Sequence, residues 1–213
     1  MKKVVSFCLW GKNPKYTIGA IKNAQLCVGI YPKWERRFYV ADSVPSNIIS
    51  GLISLKCTVV DMGKGDWTSM FWRFLPAFEK DITMISRDTD SRISSRERLA
   101  VDHWIESDKD FHIMRDHRCH DIEILGGMWG CRKNILREMK KEMLGYEGRD
   151  EWGTDQYFLR DFAWPLVKDR SLVHDDWSRY DGGEKRSFPS ERVNGEYVGS
   201  PFSAEDSLEV PFK

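Results

Sequence analysis

Two aspartates one residue apart close an apolar run in the stretch ITMISRDTDSR, Ile82 to Arg92: Asp88 and Asp90, with Thr89 between them. Like charges so close repel unless something cationic sits between them. Carboxylates at i and i+2, turning out of a strand, can share a hard divalent cation through oxygen ligands. Such a cation can grip a diphosphate and neutralise charge on a departing phosphate, and Arg87 and Arg92 flank the pair to assist with phosphate oxygens. Alone, a D-x-D match is also an ordinary solvated acidic turn. Its meaning depends on the elements that place it.

Other residues of chemical interest are scattered. His112, His117 and His120 lie near Asp116, but no matched Cys or His pair occurs elsewhere, which argues against zinc. The run GGMWG, Gly126 to Gly130, permits unusual backbone angles and close ligand approach, and Trp129 within it could stack on a sugar face or pack in a core. Asp61 ends an apolar run and could accept a hydrogen bond from a base or ribose.

The first 86 residues alternate regularly. VVSFCLW (Val4–Trp10), RRFYVAD (Arg36–Asp42), CTVVDM and ITMIS predict four strands. Between them lie a helix opening at Pro14, a helix over Ser43 to Leu55, and an aromatic helical stripe in TSMFWRFLPAFEK that Pro76 should kink or shorten. A β-α-β-α-β-α-β order predicts a mostly parallel sheet with right-handed crossovers. Ligands in such sheets sit at the carboxyl ends of strands, where Asp42, Asp61 and the Asp88/Asp90 pair all stand. Beyond them, Ser94 and Glu97 form an S-x-x-E helix start, and FHIMRDH, DIEILGGMWG and SLVHDD read as strands. NILREMKKEML and TDQYFLRDFAW read as helices, the second ending near Pro165. From Trp177 the chain is polar, Gly-rich and irregular.

The 213 residues are 41% hydrophobic and carry 33 basic and 33 acidic side chains. Zero net charge supplies no global field for nucleic acid or an anionic membrane. No apolar run reaches the ~20 residues of a membrane span. Five cysteines form no CxxC pair, which predicts a reduced, cytoplasmic protein.

With MFWRF, ISRDTDSR, RERLAV, HIMRDHRCH and GGMWG in view, the sequence resembles the GT-A class of nucleotide-sugar glycosyltransferases, and more narrowly a viral group of them that includes the amino-terminal domain of a large chlorella-virus protein. The resemblance runs to about Asp176. It implies a Rossmann-like single domain over 1–180, with a nucleotide-binding half at 1–91, an acceptor-side half at 92–180, helices on both sheet faces and an irregular tail or linker at 181–213. It implies a UDP-sugar donor carrying a hexose or deoxyhexose, a glycan or glycoprotein acceptor, and Mn²⁺ or Mg²⁺ as cofactor. It also allows for one domain of a larger protein, working in host cytoplasm if viral.

Residue by residue, the resemblance assigns the metal to Asp90, gives Asp88 the ribose or the metal, and makes His174, in SLVHDDW, the candidate third ligand. Asp155, at a helix start in EWGTDQYF, becomes either the base that deprotonates the acceptor or a holder of donor hydroxyls, with Trp152 and Gly153 as an approach loop. Leu9, Trp10 and Gly11 would seat the base, with Tyr16 stacking on it. Asp61, Arg73 and Arg87 would reach the nucleotide or diphosphate, although Arg73 could equally snorkel to solvent. Asp116, His117, Gly127 and Trp129 would face the acceptor.

Two other readings remain open. An aspartate-based phosphohydrolase also uses D-x-D, but after its first strand and with a different following residue. A catalytically inactive sugar-binding domain would keep the fold without needing both Asp155 and His174.

Overall fold

The computed structural model describes residues 1–146, 153–177 and 180–209. Eight strands form one sheet: β1 (Lys2–Leu9), β2 (Glu35–Val40), β3 (Thr58–Asp61), β4 (Ile82–Ser86), β5 (Phe111–Arg115), β6 (Trp129–Cys131), β7 (Ser171–Asp175) and β8 (Glu184–Arg186). Their spatial order is β3-β2-β1-β4-β6-β5-β7-β8. All neighbours are parallel except β6, which runs antiparallel to both β4 and β5. Order reverses between β1 and β4, because β2 and β3 lie on one side of β1 and β4 on the other. That reversal opens a crevice at the carboxyl ends of these two strands.

Strand alternation builds a core on each face. Val4, Met84 and Val173 point to one side, where Phe71, Phe74, Trp129 and Phe158 pack. Val5, Ile85 and Leu172 point to the other, against Ala20 and Ala24 of α1 (Pro14–Ile30), Leu52 of α2 (Ser46–Ser54) and Trp104 of α3 (Ser95–Glu106). Helices therefore cover both faces. Among the described residues no helix is long and apolar enough to cross a membrane.

Several local expectations change. The aromatic segment Trp67–Phe78 is a 3₁₀ helix, with Asp66 and Ser69 forming a reciprocal cap and Pro76 inside it. DIEILGGMWG forms a strand only from Trp129, and NILREMKKEML is a 3₁₀ turn followed by α4 (Lys140–Leu144). The helix after Thr154 does not end at Pro165. α5 (Thr154–Phe158) passes through a π turn, Leu159–Ala163, into α6 (Trp164–Val167), so the chain stays helical through Pro165. Ser94 caps α3 by accepting from the Glu97 backbone, while the Glu97 side chain turns away to Arg87 and Tyr31.

The segment after Tyr180 adds β8 to the sheet and folds back on the domain. Phe202 N–H donates to the Asp90 carbonyl at 2.8 Å, and Val198 N–H to Asp116 Oδ2 at 2.9 Å. Irregular as it is, its described part is tied down at Val198 and Phe202 and supplies cavity wall through Tyr197, Gly199 and Pro201.

Candidate functional site

The loop that carries Asp88 and Asp90 rests on α1. Asn23, fully buried, donates from Nδ2 to the carbonyls of Ser91 (2.8 Å) and Thr89 (3.3 Å) and accepts at Oδ1 from Ile93 N–H (3.0 Å). One turn earlier, a Cβ on Gly19 would lie 2.0 Å from the Thr89 carbonyl oxygen, so only glycine lets the helix come this close. The opposite wall is set by β6. Its antiparallel register pairs Ser86 with Trp129, which brings Gly126 and Gly127 alongside Asp88. A Cβ at Gly127 would fall 2.0 Å from Asp88 Oδ2, and one at Gly126 2.1 Å from Asp155 Oδ2. The glycines of GGMWG make room for carboxylates.

Between these walls lies a cavity of about 550 Å³. The end of β1 and the start of α1 contribute Cys8, Leu9, Trp10, Gly11, Lys12, Asn13 and Tyr16; the D-x-D loop contributes Asp88, Thr89 and Asp90. Arg73, Gly126, Gly153, Asp155 and Gln156 form the floor, and Cys119, His120, Leu125, Met128, Tyr197, Gly199 and Pro201 close the far side.

Arg73 does not reach solvent. Its guanidinium lies 2.5 Å from Asp155 Oδ2 and 3.2 Å from Asp88 Oδ1, and donates from Nε to the Gly126 carbonyl at 3.3 Å. Asp155 begins α5 after Gly153, whose φ of +88° needs glycine, and its Oδ1 accepts from Gln156 N–H. Burial pushes the Asp155 carboxyl above its ordinary range, and Arg73 pulls it back. Arginine stays charged at any ordinary pH, and the contact is direct, so the pair is ionic at neutral pH. Asp90 is also pushed up, by burial and then by the neighbouring Asp88, with Lys15 opposing. Lys15 places Nζ 3.4 Å from Asp90 Oδ2.

A divalent cation fits the D-x-D pair. Both carboxylates open toward the cavity, all donors are oxygens, and a cation would offset both the burial of the Asp90 carboxylate and its repulsion by Asp88. Among the described residues no group of three or more His, Cys, Asp or Glu side chains is arranged to hold a metal. The remaining ligands would be phosphate oxygens and water, the usual habit of Mg²⁺ at such sites.

His174 is not among them. It is fully buried on β7, its Nδ1 is 2.9 Å from His112 Nε2 and its Nε2 3.4 Å from His103 Nδ1. It sits on the α3 face of the sheet, away from the cavity, because strand alternation turns it there. Burial holds it down at about 4, so it is neutral at physiological pH.

Five other sequence expectations are corrected. Arg87 turns under the sheet, its Nε 2.7 Å from Glu97 Oε1 and its Nη1 on the Ser86 and Trp129 carbonyls. Asp61 is exposed at the sheet edge and caps Gly63 N–H at 2.9 Å. Trp129 has no exposed surface; it stacks on Phe111 at 5.2 Å and meets Phe74 edge-on, so it is core. Asp116 is fully buried and holds Arg96 through two 2.8 Å bonds, together with Arg192 and Val198 N–H. His117 stacks on Tyr197 behind the cavity wall, at 4.1 Å. Trp152 lies outside the described residues; Gly153 is buried.

Sequence reasoning overlooked Lys15, Asn23 and Tyr197, and weighed His120 only as a zinc ligand. His120 lines the cavity, and its Nδ1 accepts from Asp116 N–H at 3.0 Å, which leaves the proton on Nε2. Burial keeps it neutral, at about 3. The available signal was the i,i+4 pair Gly19/Asn23 on a face of α1 that is otherwise apolar.

No family model matches the sequence, and no curated protein matches it. Solved structures do. A mannosyltransferase from Pyrobaculum calidifontis, in complex with GDP-Man and Mn²⁺, is similar at 12% identity and a TM-score of 0.52, covering 82% of this chain and 55% of that one. The glucosyl-3-phosphoglycerate synthase of M. tuberculosis is similar at 13% identity and a TM-score of 0.51, covering 90% and 74%. A glycosyltransferase involved in glycosylation of the major capsid of PBCV-1 aligns at 18% identity and a TM-score of 0.47, over 81% of each chain. The chain spans about half the length of the mannosyltransferase. At these identities the likeness is one of fold: a single α/β domain of GT-A architecture.

Proposed function

We propose that the chain is a metal-dependent glycosyltransferase, of the viral group its motifs resemble, that moves a hexose or deoxyhexose from a UDP-sugar to a hydroxyl of a glycan or glycoprotein. The observation that carries this reading is one cavity at the β1/β4 reversal that gathers Asp88, Asp90, Arg73 and Asp155 beside Leu9, Trp10, Gly11 and Tyr16. In this reading Tyr16, 39% exposed at the cavity rim, stacks on the base. Asp88 and Asp90 would hold Mn²⁺ or Mg²⁺, which when bound would supply Lewis-acid stabilisation of the departing diphosphate. Arg73, fixed by Asp88 and Asp155, adds a permanent positive charge where negative charge develops. The walls from Gly126 and Tyr197 exclude water from the donor.

Asp155 has two candidate roles. Its carboxylate is already engaged by Arg73 at 2.5 Å, which favours holding donor hydroxyls over deprotonating the acceptor. Screening UDP-sugars for UDP release with and without Mn²⁺ tests the whole reading. One or more donors should be consumed only with metal, and the anomeric configuration of the product then separates the two roles. Release of phosphate from simple phosphomonoesters, indifferent to UDP, would support a hydrolase instead.

A further inference from the structure

The side chain that faces Asp90 is an ammonium. Lys15 stands in the first turn of α1, where Asn13 caps the helix by accepting Lys15 N–H at 3.0 Å. Its Nζ lies 3.4 Å from Asp90 Oδ2 and 2.8 Å from Glu209 Oε2. Glu209 arrives from the far end of the chain and is placed by its backbone, whose N–H donates to the Pro201 carbonyl at 2.8 Å. Just before it, Asp206 is gripped by Arg92 (2.8 Å) and Lys22 (3.1 Å). Two anions, one from the D-x-D loop and one from the carboxyl-terminal segment, thus share a single cation.

An ammonium beside a carboxylate competes directly with any divalent cation that would use the same oxygens. Its neighbours Asn13 and Tyr16 line the cavity, so the ammonium lies beside the carboxylate at the cavity's edge. We propose that Lys15 is the resident counter-ion of Asp90, that it turns to the donor's diphosphate when a divalent cation takes the carboxylate, and that Glu209 governs how readily it leaves. Lys15 is a donor-binding residue in this scheme, and Glu209, acting through it, is a positioning residue that makes the carboxyl-terminal segment part of cation affinity. The inference rests on the glycosyltransferase reading.

Opposite signs make it testable. Mn²⁺ binding without nucleotide, and UDP binding at saturating Mn²⁺, are measured by calorimetry at low salt, where a partly exposed pair is least screened. Lys15→Met should tighten Mn²⁺ by roughly five- to tenfold and weaken UDP by a similar factor. Glu209→Gln should weaken Mn²⁺, and Lys15→Arg should stay near wild type in both titrations. A merely structural lysine would move both affinities in the same direction. Unchanged or weaker Mn²⁺ binding in Lys15→Met, with the wild type binding normally and the thermal melt intact, overturns this inference alone. A wild type that binds neither Mn²⁺ nor UDP overturns the functional reading and this inference with it.

Discussion

At the carboxyl end of β4, Asp88 and Asp90 open into a cavity, with a lysine and an arginine only partly answering their charge. Farther along the same sheet edge, at the carboxyl ends of β5 and β7, Asp116 and Asp175 are fully closed. Asp116 takes Arg96 and Arg192, and Asp175 takes Arg115 Nε at 2.8 Å. Both regions present acidic residues where an α/β sheet places its ligands. Among the described residues, only the first leaves its acidic charge partly unanswered, since Arg73 is shared with Asp155 and Lys15 with Glu209. Position in the fold nominates a residue, and the balance of charge around it decides whether it is spent on architecture or kept for a ligand.

Substitutions on the two sides should separate cleanly. The largest effect is expected at Asp90. Asp90→Ala should lower metal-dependent turnover by at least about a hundredfold, while the denaturation midpoint holds or rises, because a crowded, partly desolvated carboxylate is removed. Loss of stability without loss of turnover would reverse the contrast.

Asp116→Ala should do the opposite. Arg96 and Val198 N–H lose their buried partner, at a cost of about 3 kcal/mol read from denaturant unfolding. The surviving folded fraction should still bind Mn²⁺.

Acid divides the regions next. His174, held at about 4, His120, at about 3, and His112, also held down by burial, are depressed below the unfolded value near 6.5. Their contribution is fully present above about pH 6.5 and is lost as pH falls toward 4, with a slope of about 1.4 kcal/mol per pH unit for each proton taken up on unfolding. Asp90 and Asp155 act in reverse: their raised carboxyls make the fold gain stability as pH falls through their folded values. Urea midpoints measured between pH 6.5 and 4.5 should therefore fall more gently in His174→Gln than in wild type. The same slope in both would place His174 outside the titrating set.

The smallest effect belongs to Asp61. Its only hydrogen-bond role among the described residues is local, to Gly63, so Asp61→Asn should leave UDP affinity within about twofold. A larger loss would extend the nucleotide seat to the sheet edge.

The placement of Asp88 and Asp90 was legible because local pattern carries it. Strand periodicity places Asp88 and Asp90 at a carboxyl end, and the β-α-β order makes that end a crevice. The GGMWG glycines were singled out for close approach of a ligand; the groups that come close are the Asp88 and Asp155 carboxylates. What could not be read is long-range. Lys15 meets Glu209 across nearly the whole chain, and Asn23 reaches a loop more than sixty residues away. His174 was misplaced by a subtler rule. A strand end has two faces, and the pattern of SLVHDD alone does not say which residue of the run faces the cavity. Trp129 followed from the same ambiguity: a tryptophan beside glycines can be a platform or a core residue, and its register on β6 against Ser86 and Ile113 puts it in the core.

The most direct test of a metal-diphosphate seat at Asp88 and Asp90 is calorimetric titration of UDP into the protein with and without Mn²⁺. The account predicts binding that requires the metal in wild type and disappears in Asp90→Ala. Binding of equal strength without metal, or none under either condition, would contradict it.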